Sequence, residues 1–146
     1  MSTHTAADVR HATGGSLSTL QRYAKDITPF QPCDGQSRGS GEKRQYSTRR
    51  VIQTAITLEC TRLGIAPSRG AKAAFDFSDR SSPGRAIGEL YSLGTTLLVG
   101  LPTGESKVIN IPPDLTIADV LSTDGAVFII NCNNVVEKVM SKLGKQ

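Results

Sequence analysis

Tryptophan is absent from this sequence, aromatic residues make up only 5% of it, and cysteine occurs three times in 146 residues. Cys33, Cys60 and Cys132 are odd in number, far apart and without a CxxC spacing. That argues against a disulfide framework and the usual zinc ligand sets, and leaves reduced thiols as the default. Cys60 falls in an apolar helical pattern and is expected in the core, whereas Cys33 belongs to a polar, exposed loop. No apolar run approaches the roughly 18 residues that cross a membrane. The N-terminal STHTAADVRHA lacks the apolar region of a signal peptide, so a soluble cytoplasmic protein with no membrane partner is expected.

Catalytic motifs are equally scarce. GLPTGESK departs from the phosphate-cradling pattern G-x-x-x-x-G-K-[ST] and lies between two strand-like runs rather than before a helix. Asp76 and Asp79 form a close carboxylate pair at a helix end, where solvation accounts for them better than acid–base work. Asn131, Asn133 and Asn134 read as turn and capping residues. His4 and His11 flank a short helix with no partner motif, and read as solvated or backbone-bonded rather than metal-ligating. A non-enzyme without cofactor or metal is the expectation.

What is present is positive charge, unevenly placed. Through Arg80 twelve Lys/Arg face seven Asp/Glu, a balance of +5, while from Ser81 onward five face six, a balance of −1. A basic front half on a near-neutral back half points to a polyanionic partner for the front half.

Within that front half, Thr5–Ala12 reads as a short helix capped by Thr5, with Asp8 reaching back as in a capping box. Val9 and Ala12 give it a thin apolar stripe. After Thr13-Gly14-Gly15, Ser16 caps a second helix running to Asp26. Leu17, Leu20, Ala24 and Ile27 recur at three- and four-residue spacing on its inner side. Ser18, Thr19, Gln21, Arg22 and Lys25 fall outside, and Gln and Arg are the residues that grip base edges bidentately. Two short helices across a glycine turn, the second polar outside, predict a helix-turn-helix that reads DNA. Thr28-Pro29 ends the second helix. The segment PFQPCDGQSRGSGEKRQY predicts a β-hairpin pinned by Phe30 and Tyr46, with Arg38, Lys43 and Arg44 on a long basic tip. Ser47 caps a longer helix to Leu63, stopped by Gly64. Its expected inward face is Val51, Ala55, Leu58 and Arg62, with Ile52, Ile56, Cys60 and Leu63 alongside. Arg49 and Arg50 sit in the first turn, where the helix dipole disfavours cations, a placement easier to understand beside a phosphate. Pro67 starts a fourth helix that buries Ala71, Ala74 and Phe75.

These runs, TGGSLSTLQRYAKDI and then RQYSTRRVIQTAITLECTRLGIAPS, resemble the winged helix-turn-helix of MerR-type transcription regulators. That family shows a Gly turn, S-x-x-TLRxYE, a basic wing closing on RxY, a helix and an LGxS step into a further helix. The resemblance covers roughly Thr5–Phe77, about half of the chain. It implies that Ser18, Thr19, Gln21, Arg22 and Tyr23 belong to the DNA-facing helix, and that Arg44 and Tyr46 stand at the return of the wing, Tyr46 in core or phosphate contact. The chain departs from the family in a longer Gly/Ser-rich wing tip, in Ala24 where an acidic residue is usual, and in lacking the long coiled-coil helix that pairs two subunits.

Past the linker-like SDRSSPGR (residues 78–85), AIGELYSLG reads as a short helix or turn. TTLLVGLPTGESKVINI reads as a β-hairpin, DLTIADVLSTDG as a helix and AVFIINCN as a buried strand. Asn134 is expected to cap a final helix with Val136, Val139, Met140 and Leu143 inward. The expected fold class is therefore α+β: a winged helix-turn-helix over 1–79, mainly α with a β-hairpin wing, then a small α+β dimerisation or sensing unit over 80–146. So small a unit gains from sharing its core with a second copy. The function expected is a sequence-specific, MerR-like transcription regulator, cytoplasmic and nucleoid-associated, binding double-stranded DNA as a homodimer, with RNA polymerase as a further partner. Its DNA contacts are expected from Ser16, Ser18, Thr19, Gln21, Arg22, Tyr23, Lys25, Arg38, Lys43, Arg44, Tyr46, Arg49 and Arg50. Rival expectations are a recombination or excision accessory factor that bends DNA, a ligand-responsive regulator sensing through its back half, and a protein-interaction adaptor.

Overall fold

Capping residues set where the helices of this chain begin, and most act at the positions expected. The computed structural model describes residues 3–23, 45–121 and 125–144. Strand β1 (Thr3–His4) leads into helix α1 (Ala6–Thr13). Thr5 Oγ1 accepts the Asp8 N–H at 3.2 Å, and Asp8 Oδ2 accepts the Thr5 N–H at 2.9 Å, a complete capping box. The Thr5 N–H foremost, and then the Thr5 hydroxyl, hold the Asp8 carboxyl below its ordinary pKa. Gly14, at φ +76° in the left-handed region, closes α1 by giving its N–H to the Arg10 carbonyl. Ser16 then caps α2 (Leu17–Arg22), accepting the Thr19 N–H at 3.3 Å. The rest of the expected second helix, 24–26, and the expected wing around Phe30 and Cys33 lie outside the described residues. Strand β2 (Tyr46–Ser47) pairs antiparallel with β1, His4 opposite Tyr46.

Helix α3 (Thr48–Arg62) starts at the Ser47 cap, and nine of its fifteen residues are buried. The buried arc differs from the expected stripe. It takes in Arg50, Gln53, Thr54 and Thr57, while Leu63, the residue after the helix, is 57% exposed. A helix covered on most sides has no single apolar face to display. Its buried threonines bond within the helix: the Thr54 and Thr57 hydroxyls donate to the carbonyls of Arg50 and Gln53, each at 2.8 Å. Gln53 also donates to the Ala71 carbonyl of α4 (Pro67–Ser78), tying the two helices. Helix α4 begins at its proline as expected and buries Ala71, Ala74 and Phe77, with Phe75 only half-buried.

The segment expected as a linker is bound down instead. Arg85 is 5% exposed, and its guanidinium donates to the carbonyls of Asp76, Phe77, Arg80, Ala86 and Glu89 and to Ser82 Oγ. Five main-chain acceptors gather the chain leaving α4 around one cation, which burial pushes below the usual arginine pKa.

Strands β3 (Thr95–Gly100), β4 (Ser106–Ile111) and β5 (Phe128–Asn131) form an antiparallel sheet in the order β4-β3-β5. The expected hairpin is present, with Thr95 opposite Ile111 and Gly100 opposite Ser106. Central β3 is buried on both faces, which is why TTLLVG reads as a continuous run rather than an alternation. Leu98 points into the main core with Val9, Leu20, Val51, Phe77 and Val139. Leu97 and Val99 point the other way, into a smaller cluster with Ile111 near the short α5 (Ile117–Val120). The main cluster thus draws side chains from both sides of the 79/80 boundary expected from composition.

The last helix, α6 (Cys132–Lys142), is capped by Asn131, whose Oδ1 accepts the Asn134 N–H at 3.1 Å. Asn134 was the expected cap. Starting the helix three residues earlier leads inward with Cys132, Val135 and Val139, and leaves Val136 only partly buried. Asn133 instead accepts the Thr96 N–H at 2.7 Å, fastening α6 to β3.

A Cβ on Gly100 would fall 1.9 Å from the Phe128 ring, which Arg69 covers at 5.3 Å. Gly100→Ala should therefore destabilise the fold by about 1–3 kcal/mol, read as a lower urea midpoint at unchanged slope.

Candidate nucleic-acid interface

Steps of 100° per residue put Ser18, Gln21 and Arg22 on one side of α2 and Leu20 on the other. The described structure follows this division. Leu20 is 2% exposed and Tyr23, the C-cap, 3%, both packed inward, while Ser18, Gln21 and Arg22 are exposed. Ser16 is occupied by its capping role: it accepts the Thr19 N–H and donates to Thr19 Oγ1 at 2.9 Å. The Arg22 guanidinium lies 5.7 Å from the centre of the Tyr23 ring, which restricts a side chain otherwise free to sweep solvent.

Four of the expected contacts, Lys25, Arg38, Lys43 and Arg44, lie outside the described residues. Tyr23 and Arg50 need correcting, and of the two roles expected for Tyr46, core or phosphate contact, the structure shows the core one. Tyr23 and Tyr46 (4% exposed) are both core residues, Tyr46 being held in β2, paired with the N-terminal strand. Arg50 is 1% exposed and bonds Asp79 and Gln53. It is a buried structural cation, not a phosphate ligand. Arg49 keeps 38% of its side chain exposed, with Nη1 3.8 Å from Asp79 Oδ2. The cations in the first turn of α3 are thus answered by a carboxylate at the end of α4, and no external phosphate is needed to explain them.

Asp76 and Asp79, expected to be solvated, both take part in bonds. Ser78 Oγ donates to Asp79 at 2.6 Å; Ser106 Oγ donates to Asp76, and Arg80 approaches Asp76 at 3.6 Å. The Phe75 ring has Arg50 at 5.9 Å and Arg80 at 5.7 Å. Beside this network a cleft of about 510 Å³ opens between α4 and the β3–β4 turn, lined by Lys72, Phe75, Asp76, Arg80 and Glu105 among others. In its lining Lys72 and Arg80 are balanced by Asp76 and Glu105, so it lacks the net positive charge that draws a polyanion. Residues 53, 76 and 106 are far apart in sequence, so no motif announces them.

The histidine at position 4 is buried, with Nε2 2.8 Å from Thr48 Oγ1, linking β1 to the start of α3. Among the described residues no group of three His, Cys, Asp or Glu side chains is placed to hold a metal ion, and no helix is long and apolar enough to cross a membrane. Comparison with protein-family models and with curated proteins gives no match.

Two outcomes follow from the buried polar groups. Asp79→Asn, which strips the charge opposite Arg50, should cost about 3–5 kcal/mol of stability, whereas Arg49→Ala should cost under about 1 kcal/mol. Paired urea titrations distinguish them. Burial pushes the Cys60 thiol up to about 11 and the Cys132 thiol up to about 12. A raised folded-state pKa means that the folded chain holds protons the unfolded chain releases above about pH 9. Stability should therefore decline from about pH 9 upward, and replacing both thiols with alanine should flatten that decline in a pH series of thermal melts.

Proposed function

We propose that this chain is a sequence-specific, MerR-like regulator that presents α2 to the major groove of duplex DNA. The observation that carries the reading is the division of α2: an outer surface of Ser18, Gln21 and Arg22 above an inner side anchored by Leu20, with Tyr23 buried at its end. Donors of this kind, on a helix seated in a core, are what base edges require. Gln21 and Arg22 read bases and Ser18 bonds a base or the adjoining phosphate. The basic segment with Arg38, Lys43 and Arg44 supplies further phosphate contacts, and Arg49 is the remaining candidate from α3. Two copies joined through residues 80–146 bind paired half-sites, and RNA polymerase is the partner on which regulation acts.

Selecting bound sites from random duplexes at two salt concentrations tests this directly. A preferred sequence should emerge, with binding that weakens steeply as salt rises. Arg22→Ala should lose about 1–3 kcal/mol at one base position and relax the preference there. Binding to no duplex at low salt, or unchanged preference in Arg22→Ala and Gln21→Ala, would overturn the reading.

A further inference from the structure

We infer that a cationic groove between α3 and α6, opening at the α1–α2 turn, is a second contact for the nucleic-acid backbone. The inference rests on the DNA-binding reading above and extends it to a part of the chain that composition marks as near-neutral. Two adjoining hollows, of about 120 and 290 Å³, share Glu59, Arg62, Val135 and Lys138 along their walls, and the smaller reaches Gly14 and Lys142. Arg62, Lys138 and Lys142 converge there. Their only acidic neighbour on the walls, Glu59, is already bonded to Arg62.

Lys138 and Lys142 are four residues apart on α6 and therefore share one face, where like charges repel. Neither forms an ion pair among the described residues. The placement puts uncompensated positive charge on one wall of a concave surface, which concentrates its field on whatever anion enters. Location supplies the occupant. Arg62 Nη2 lies 3.9 Å from where a Cβ on Gly14 would stand, so the groove opens beside the turn that leads into α2. In helix-turn-helix docking the N-terminal end of the second helix enters the major groove, and cations beside that end face the phosphates that border it. The groove thus follows one strand of the backbone while α2 reads bases, contributing affinity without sequence information.

The test compares Lys138→Gln/Lys142→Gln with Lys72→Gln/Lys107→Gln, a pair with the same charge change located on the α4 cleft and on β4. Each is measured with the wild type against a selected duplex and a scrambled one across a salt series, after thermal melts establish folding. The groove variant should bind both duplexes up to about tenfold more weakly per lysine at 0.1 M salt, with the slope of log affinity against log salt shallower by about 0.9 per lysine. Its ratio of selected to scrambled binding should be unchanged, and the control pair should behave as wild type. An unaltered slope, or equal losses in both variants, overturns the groove while leaving the reading of α2 intact. Failure of the wild type to bind any duplex overturns both.

Discussion

The Arg50 guanidinium is buried in the first turn of the helix that α1, α4, α6, β2 and β5 pack against, and a charge in that position is tolerable only if it is answered on the spot. Asp79 answers it, together with the Gln53 amide. The requirement reaches outward in two directions. Asp79 stands at the C-terminal end of α4, so pairing it with Arg50 fixes where α4 ends relative to where α3 begins, and the Gln53 bond to Ala71 fixes the same helix pair further along. Leaving either charge alone in the interior would cost several kcal/mol, a large share of the net stability of a typical domain.

From that anchored pair the rest of the architecture is laid on by apolar contact. Helices α1 and α2 place Val9, Ala12 and Leu20 against α3, while β3, β5 and α6 close the other side with Leu98, Ile130 and Val139. The Arg85 cluster of carbonyl bonds turns the segment between α4 and the sheet into a fitted corner, so the two halves share one core. A short helix on such a base is held by packing rather than by its own length. At six residues α2 is far below what an isolated helix needs.

Charge has two different uses in this molecule, and burial separates them. Arg50 and Arg85 are interior cations that organise backbone and carboxylate. Arg22, Lys138 and Lys142 are exterior cations, and among the described residues none of the three is matched by a carboxylate. Counting lysines and arginines along the chain mixes the two kinds. It credits the front half with the Arg50 guanidinium, which the fold has turned inward to Asp79, on the same footing as the partly exposed Arg49.

Local rules reached far along this chain. The caps at Thr5, Ser16 and Ser47, the proline start of α4 and the glycine ends of α1 and α3 are readable because each depends on residues within four positions of one another, and the β3–β4 hairpin because its two β-rich runs flank a short turn. The division of α2 into inner and outer sides is readable for the same reason, being set by helical periodicity alone. The α6 cap is ambiguous in sequence because a strand runs directly into the helix and three asparagines offer rival caps; the bond from Thr96 to Asn133 occupies one of them. What only the tertiary structure decided is which polar side chains go inside. Arg50 meets Asp79 across 29 positions, Ser106 meets Asp76 across 30, and Thr96 meets Asn133 across 37. A buried charge is made tolerable by a partner that the chain brings close in space, and sequence adjacency carries no trace of that partner.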